Sequence, residues 1–385
     1  MSTNWTTKLI HSRAPVPKGF RSLAPPVFRG STTVFAQASA IVDRWNHDEA
    51  PYTYGQYGTP TTLELAARIA ELENGHRCFI TPGGQSALVL VYLACLKAGE
   101  HVLVPESVYG PSRGFADDVL RRYGVDVEYY PPLEVDEVVS RIRDNTRLIW
   151  CESPGSITME IQDVPSIAEA AHARHVTVAL DNTWAAGVLF DAFGHGVDIS
   201  VQALTKYIGG HSDLLLGSVT VSNEALYQRL GAMHQHLGMG ASPDDCALAL
   251  RGLQTLHVRL KAIEQSALKV AAWFAARPDV EAVLHPAFAS CPGHGTWKRD
   301  FTGSSGLFSV VFRPPITQRD LHAAMDRLTL FRMGYSWGGV TSLIVTPDLG
   351  EAPNAQQYGD RLVRCHVGLE DPDDLIRDLE QAFRG

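Results

Sequence analysis

Nowhere in the chain do two cysteines stand three residues apart. The six present, Cys78, Cys95, Cys151, Cys246, Cys291 and Cys365, are isolated. Neither a zinc knuckle nor a CxxC redox pair is therefore available. They read as inert thiols in a reducing compartment. Positive charge is also short: 33 Lys and Arg against 42 Asp and Glu leave a net charge of -9. That balance argues against a nucleic-acid partner, which needs basic patches to meet phosphates. The longest apolar run, ALVLVYLACL at 87–96, is about half of a membrane span. The opening stretch, MSTNWTTKLIHSR, lacks the apolar core of a signal peptide. A cytoplasmic protein engaging neither membrane nor nucleic acid is expected. No GK[ST] follows a glycine turn, so a Walker loop is excluded. His234 and His236 have no obvious third ligand, and no metal is expected.

What the chain does contain is alternation. Residues 1–58 show no strong periodicity and are rich in Pro, Gly and aromatics, as in APVPKGF and YTYGQYGTP. They read as an extended arm lying on a partner surface. From 59 to 242, short apolar strands (RCFI, HVLVP, VDVEYY, TRLIWCESP, VTVALDN, VDISVQALTK) alternate with helical patterns. TPTTLELAARIAELEN is one such pattern, closed by Gly75. Continuous apolar strands between amphipathic helices indicate an α/β fold with a mainly parallel sheet. From 243 to 385, a long helix begins at SPDD, with Ser242 as its cap and Pro243 in its first turn. Strands SGLFSVVF, TLFRMG, SLIVTP and LVRCHVGL follow, with helices between and after them, forming a smaller α+β domain.

Several features converge on Lys206, in QALTKYIGGHSD at the end of an apolar strand. A lysine there needs a partner. Asp181 ends the strand VTVAL, so both groups should sit at carboxyl ends of one sheet, where α/β proteins place their chemistry. TPGGQSA at 81–87 sets two glycines before a helix, giving free N–H groups for an anion. Tyr109 follows the strand HVLVP and could stack on a flat ligand. YSWGG at 335–339 carries two aromatics and a serine between or beside glycines. Arg364 lies within an apolar strand, and its fork matches a carboxylate. Taken singly, each has a bland reading: an Asp–Lys ion pair, a common glycine turn, a packed tyrosine. Together they are the groups that pyridoxal 5'-phosphate requires. Lys206 would carry the cofactor covalently and Asp181 would hold its ring nitrogen protonated. Tyr109 would cover one face, while Gly84, Gln85 and Thr205 would hold the phosphate. Arg364, helped by Ser336 and Trp337, would grip a substrate carboxylate.

LDNTWAAGVLF, TKYIGGHSD, ESPGSITMEI, RDFTGSSGLFS, YSWGG and HVGLEDPDDLI together resemble the pyridoxal-phosphate enzymes of cysteine and methionine metabolism. ESPGSITME and YSWGG are closest to the β-lyase branch. The resemblance spans nearly the whole chain and implies fold type I, with a large cofactor domain and a smaller C-terminal one. It implies a homotetramer in which the arm, with Tyr54, completes a neighbouring subunit's site. The implied reaction is β-elimination of L-cystathionine to homocysteine, pyruvate and ammonia. The alternatives are a γ-lyase or γ-synthase, a broader cysteine C–S lyase, or a non-catalytic binder. Three positions depart from the family pattern. Gln56 stands where the family carries a phosphate-binding arginine, and Ala203 where it often has a serine. Gln235 or His234 falls where β-lyases carry a tyrosine.

Overall fold

The computed structural model describes residues 4–10, 22–350 and 357–384. Residues 11–21 of the expected arm lie outside the described residues. The rest of the arm has little regular structure: helix α1 (Trp5–Lys8) and 3-10 turns at 38–40 and 55–57. It is fastened locally, for example by Phe28 N–H donating to Thr61 Oγ1 at 2.8 Å.

Seven strands build the first sheet: β1 (Arg77–Thr81), β2 (His101–Pro105), β3 (Asp126–Tyr130), β4 (Thr146–Glu152), β5 (Thr177–Asp181), β6 (Ile199–Gln202) and β7 (Gly217–Val221). Their order is β1-β7-β6-β5-β4-β2-β3. β6, β5, β4, β2 and β3 pair in parallel, whereas β7 runs antiparallel to both of its neighbours. Strands β2, β6 and β7 are buried throughout. Helices cover both faces, which is why these strands read as unbroken apolar runs. The covering helices include α2 (Pro60–Glu73), α3 (Gly84–Cys95), α4 (Gly110–Phe115), α5 (Val135–Ser140), α6 (Val164–His172) and α7 (Glu224–Leu237).

AMHQHLG ends helix α7, closed by Gly238 at φ 65°. The mainly parallel sheet agrees with the sequence reading, with two differences. GSVTV, absent from the strands read above, forms β7. The strand expected to reach Lys206 stops at Gln202, because Ala203 N–H donates to Thr183 Oγ1 at 2.9 Å instead of to a neighbouring strand. Lys206 therefore sits in the turn that leaves the sheet.

Helix α8 (Pro243–Ala275) runs 33 residues, about 50 Å at 1.5 Å per residue. Ser242 caps it, its hydroxyl accepting from Asp245 N–H. Its first half buries Cys246, Ala249, Leu250, Leu253 and Leu256 against the first sheet's helices. Its second half buries Ala267, Val270, Ala271 and Phe274 in a separate core. That core belongs to a second sheet of β8 (Val280–Leu284), β9 (Leu307–Phe312), β10 (Arg332–Met333), β11 (Leu343–Val345) and β12 (Leu362–His366), ordered β10-β11-β12-β9-β8. Helices α9 (His294–Asp300), α10 (Gln318–Met325) and α11 (Pro372–Ala382) complete it. α9 follows directly on the CPG turn at 291–293.

Candidate active site

The carboxyl ends of the parallel strands open on one cavity of about 520 Å³. β4 and β5 deliver Glu152 and Asp181, which are register partners. β1 leads through Pro82 and Gly83 into α3, and β2 leads to Tyr109 at the start of α4. From the second sheet, β12 brings Arg364, and the loop between β10 and β11 brings Ser336 and Trp337. Gly84, Gln85, Tyr109, Asp181, Thr205, Lys206, Ser336, Trp337 and Arg364 all line this cavity. Tyr54 and Gln56 do not line it. Tyr54 is 43% exposed, and Gln56 Nε2 donates to the backbone oxygen of Gln235 at 3.0 Å.

Lys206 and Asp181 share the cavity without forming an ion pair. The lysine amine donates to Ser336 Oγ at 2.6 Å and lies 5.2 Å from the Trp337 ring centre. Burial and the nearby Arg364 charge push its pKa down to about 8, against the opposing pull of Asp181. Burial raises Asp181, while hydrogen bonds from Thr183 and the Lys206 charge oppose that rise. Burial keeps the Tyr109 phenol above its ordinary value, and the Asp181 and Glu152 carboxyls add to the effect. Arg364 is largely desolvated. Among the described residues no carboxylate pairs with it.

At the other end, α3 begins at Gly84 with Gly83 as N-cap and no side-chain cap. Its first-turn N–H groups are thus left for an outside acceptor. A Cβ on Gly84 would stand 2.7 Å from Ala203 Cβ, so only glycine allows this close approach. Gln85 braces the wall, its Nε2 donating to Pro111 O at 3.0 Å. The Thr205 hydroxyl donates to Leu216 O and accepts from Leu216 N–H, both at 3.1 Å. The anion cradle accordingly offers backbone donors first, and the cavity lining holds no cation beyond Lys206 and Arg364.

Two polar residues of the site escape sequence reading. Glu152 is buried, and its Oε2 accepts the Tyr109 N–H at 2.8 Å. Burial, reinforced by Asp181, holds its carboxyl well above the usual carboxylate range. Thr183 ties Asp181 to the strand beside it: its N–H donates to Asp181 Oδ1 at 3.0 Å, and its hydroxyl accepts from Ala203. The only available signal was their position at the ends of apolar strands, within motifs already singled out for other reasons.

A guanidinium that no described carboxylate pairs with calls for an anion from outside, and an amine whose pKa is pushed down to about 8 in the same cavity suits a carbonyl-bearing cofactor. On a sheet of this kind, that combination defines an enzyme of the pyridoxal-phosphate class. Comparison with known proteins narrows the class. The model of the Cys/Met metabolism PLP-dependent enzymes matches residues 6–384, and the chain belongs to that family. Its cofactor is pyridoxal 5'-phosphate. The chain is 40% identical over 386 residues to the cystathionine beta-lyase of Salmonella typhimurium, covering 98% of this chain and 97% of that protein. It is 42% identical over 364 residues to the cystathionine beta-lyase of Escherichia coli, covering 92% of each. The crystal structure of cystathionine gamma-lyase from Lactobacillus plantarum complexed with L-serine superposes with a TM-score of 0.91 at 27% identity, covering 99% of this chain and 98% of that one.

Proposed function

We propose that this carbon–sulfur lyase splits L-cystathionine by β-elimination, giving homocysteine, pyruvate and ammonia. The observation that carries the reading is Arg364, a largely desolvated guanidinium that no carboxylate among the described residues pairs with, facing the same cavity as a lysine whose pKa is pushed down to about 8. Its fork suits the substrate's α-carboxylate. The 40% and 42% identities to β-lyases favour the β branch, since a shared fold does not separate β from γ chemistry.

The residues present fit the cofactor. Gly84 permits close approach at the start of α3, Asp181 suits a protonated ring nitrogen, Tyr109 a ring face, and Lys206 the carbonyl carbon. Pyridoxal phosphate, when bound, supplies an electron sink for the pair released at Cα. The chain supplies the rest. Arg364 fixes the amino acid by its carboxylate. Lys206, neutral in a substantial fraction near pH 8, takes the Cα proton. Ser336 Oγ holds that amine in place. The Cβ–S pair leaves on sulfur, and Tyr109, protonated at neutral pH, or the newly charged Lys206 returns a proton to it. The 2-aminoacrylate product takes up water to give pyruvate and ammonia.

The proposed organisation is an arm to residue 58, a cofactor unit at 59–242 and a smaller unit at 243–385, the last including α8. A homotetramer in the cytoplasm accords with an exposed arm carrying Leu23 and Val34, 98% and 90% accessible, and with six free buried thiols. Among the described residues no helix is long and apolar enough to cross a membrane.

The test is product identity. The cofactor-loaded protein is given L-cystathionine, and both keto acid and thiol are identified. Pyruvate with homocysteine is expected. 2-Oxobutyrate with cysteine would assign the chain to the γ branch instead.

A further inference from the structure

The loop carrying Ser336 is an unusual object. Ser336 has φ 77° and Gly338 φ 87°, and a serine in the left-handed region persists only where its surroundings hold it there. Gly338 lies directly on the lysine backbone: a Cβ there would be 2.9 Å from Lys206 Cα. Among the described residues, hydrogen bonds to 335–339 come from Lys206 and His366 alone. Gly338 N–H donates to His366 Nε2 at 3.1 Å, and the same nitrogen is 3.0 Å from Gly339 O.

We propose that His366 is the positioning residue of this site, its imidazole pinning the 336–339 loop onto Lys206 and thereby placing Ser336 Oγ at the lysine amine. The inference rests on the proposed role of Lys206 in the elimination. Three observations support it. First, Nε2 lies between Gly338 N–H and Gly339 O, so either neutral tautomer bonds the loop: bare, Nε2 accepts from Gly338 N–H, and protonated, it donates to Gly339 O. Second, the groups around the ring keep it neutral. It is buried, the Lys206 and Arg364 charges oppose protonation, and together these bring its pKa to about 4 against the pull of Gly339 O. Tyr207 is a further titratable neighbour, its ring centre 6.0 Å away and its hydroxyl accepting from Gly306 N–H at 2.9 Å. Third, His366 stands two residues beyond Arg364 on β12, so both side chains leave the same face. One strand thus sets the carboxylate-binding arginine and the support of the loop facing it.

Two variants separate positioning from mere packing. Leucine in His366→Leu fills the space without an acceptor. Glutamine in His366→Gln can accept from Gly338 N–H through Oε1 and donate to Gly339 O through Nε2. Hydrogen exchange is followed on the holoenzyme, with kcat for L-cystathionine measured alongside. In His366→Leu, exchange of the 335–339 segment should quicken about tenfold or more, with α2 exchange unchanged. Its kcat should fall about 100-fold, the scale of a small misplacement of a reacting group. His366→Gln should return both quantities to within about threefold of the starting protein, and carries the test alone if the leucine variant does not fold. Unchanged loop exchange in His366→Leu, or a glutamine variant as impaired as the leucine one, would overturn the proposal. Loop exchange needs no substrate, so failure of L-cystathionine turnover would refute the assigned reaction and leave this result standing.

Discussion

Glu152 and Asp181 end adjacent parallel strands as register partners, and two carboxyls in one desolvated wall resist joint ionisation. Hydrogen bonds from Thr183 and the Lys206 charge favour charge on Asp181. The proton therefore falls to Glu152, whose other task is to accept the Tyr109 N–H. Glu152→Gln, which mimics the neutral acid, should keep kcat/KM within about threefold at pH 7, while Glu152→Ala frees Tyr109 and should cost about tenfold or more. Steady-state kinetics on the two variants checks this, and equal damage from both would mean that Glu152 works charged. The linkage has a definite sign. Folded Glu152 holds its proton more tightly than the unfolded chain does, so its contribution to stability is full below the ordinary carboxylate value. It is lost as pH rises through the raised one. Lys206, Asp181 and Arg364 were legible in sequence because charged residues at or within apolar strands are rare. Glu152 ends an apolar strand in the same way and carried the same signal, but its pairing with Asp181 arises from a cross-strand register that spacing along one chain does not display.

Elements were legible where their periodicity was strong. α2 and α8 keep one apolar face over many turns and carry clear start signals, and both were read close to their observed bounds. β7 was missed although Val219, Thr220 and Val221 are β-branched strand formers; it opens on Gly217 and Ser218, which read as a turn, and glycine stands there because a Cβ would meet Gly83 O. The end of β6 was misjudged because the side chain that ends it, Thr183, comes from a different strand end. The contact between α3 and the turn after β6 gives the element-scale prediction. Gly84→Ala would set a methyl 2.7 Å from Ala203 Cβ, closer than real carbons approach, so the helix start must retreat from the turn. Its first-turn N–H groups would move with it. Cofactor affinity should fall about tenfold or more, with little change in thermal stability of the cofactor-free protein. Equilibrium titration with pyridoxal phosphate measures the first and calorimetry the second. Unchanged affinity would place the phosphate elsewhere than the start of α3.

At the scale of the whole molecule, the cradle lacks positive charge and the described residues of the arm do not line their own chain's cavity. Gln56 donates to Gln235 O, and Gln235 Nε2 in turn donates to the Tyr57 hydroxyl at 3.0 Å. The Tyr57 hydroxyl donates to Asp43 at 2.7 Å. This chain of bonds turns the half-buried Gln56 side chain inward against α7, while Tyr54 nearby is 43% exposed. If the arm completes the adjoining subunit's cradle, an arginine at position 56 would add to it the one charge the lining lacks. Gln56→Arg should then tighten pyridoxal phosphate binding by about tenfold, the scale of one charge-assisted hydrogen bond to phosphate. The gain should shrink with added salt where the site stays partly open to solvent. It should also vanish on dilution to the point where sedimentation shows separated subunits, because a lone chain cannot bring position 56 to its own cavity. A gain that survives dissociation would mean that the arm serves its own subunit. No gain at any concentration would mean that it does not reach a cradle at all, and that backbone donors of α3 alone hold the phosphate.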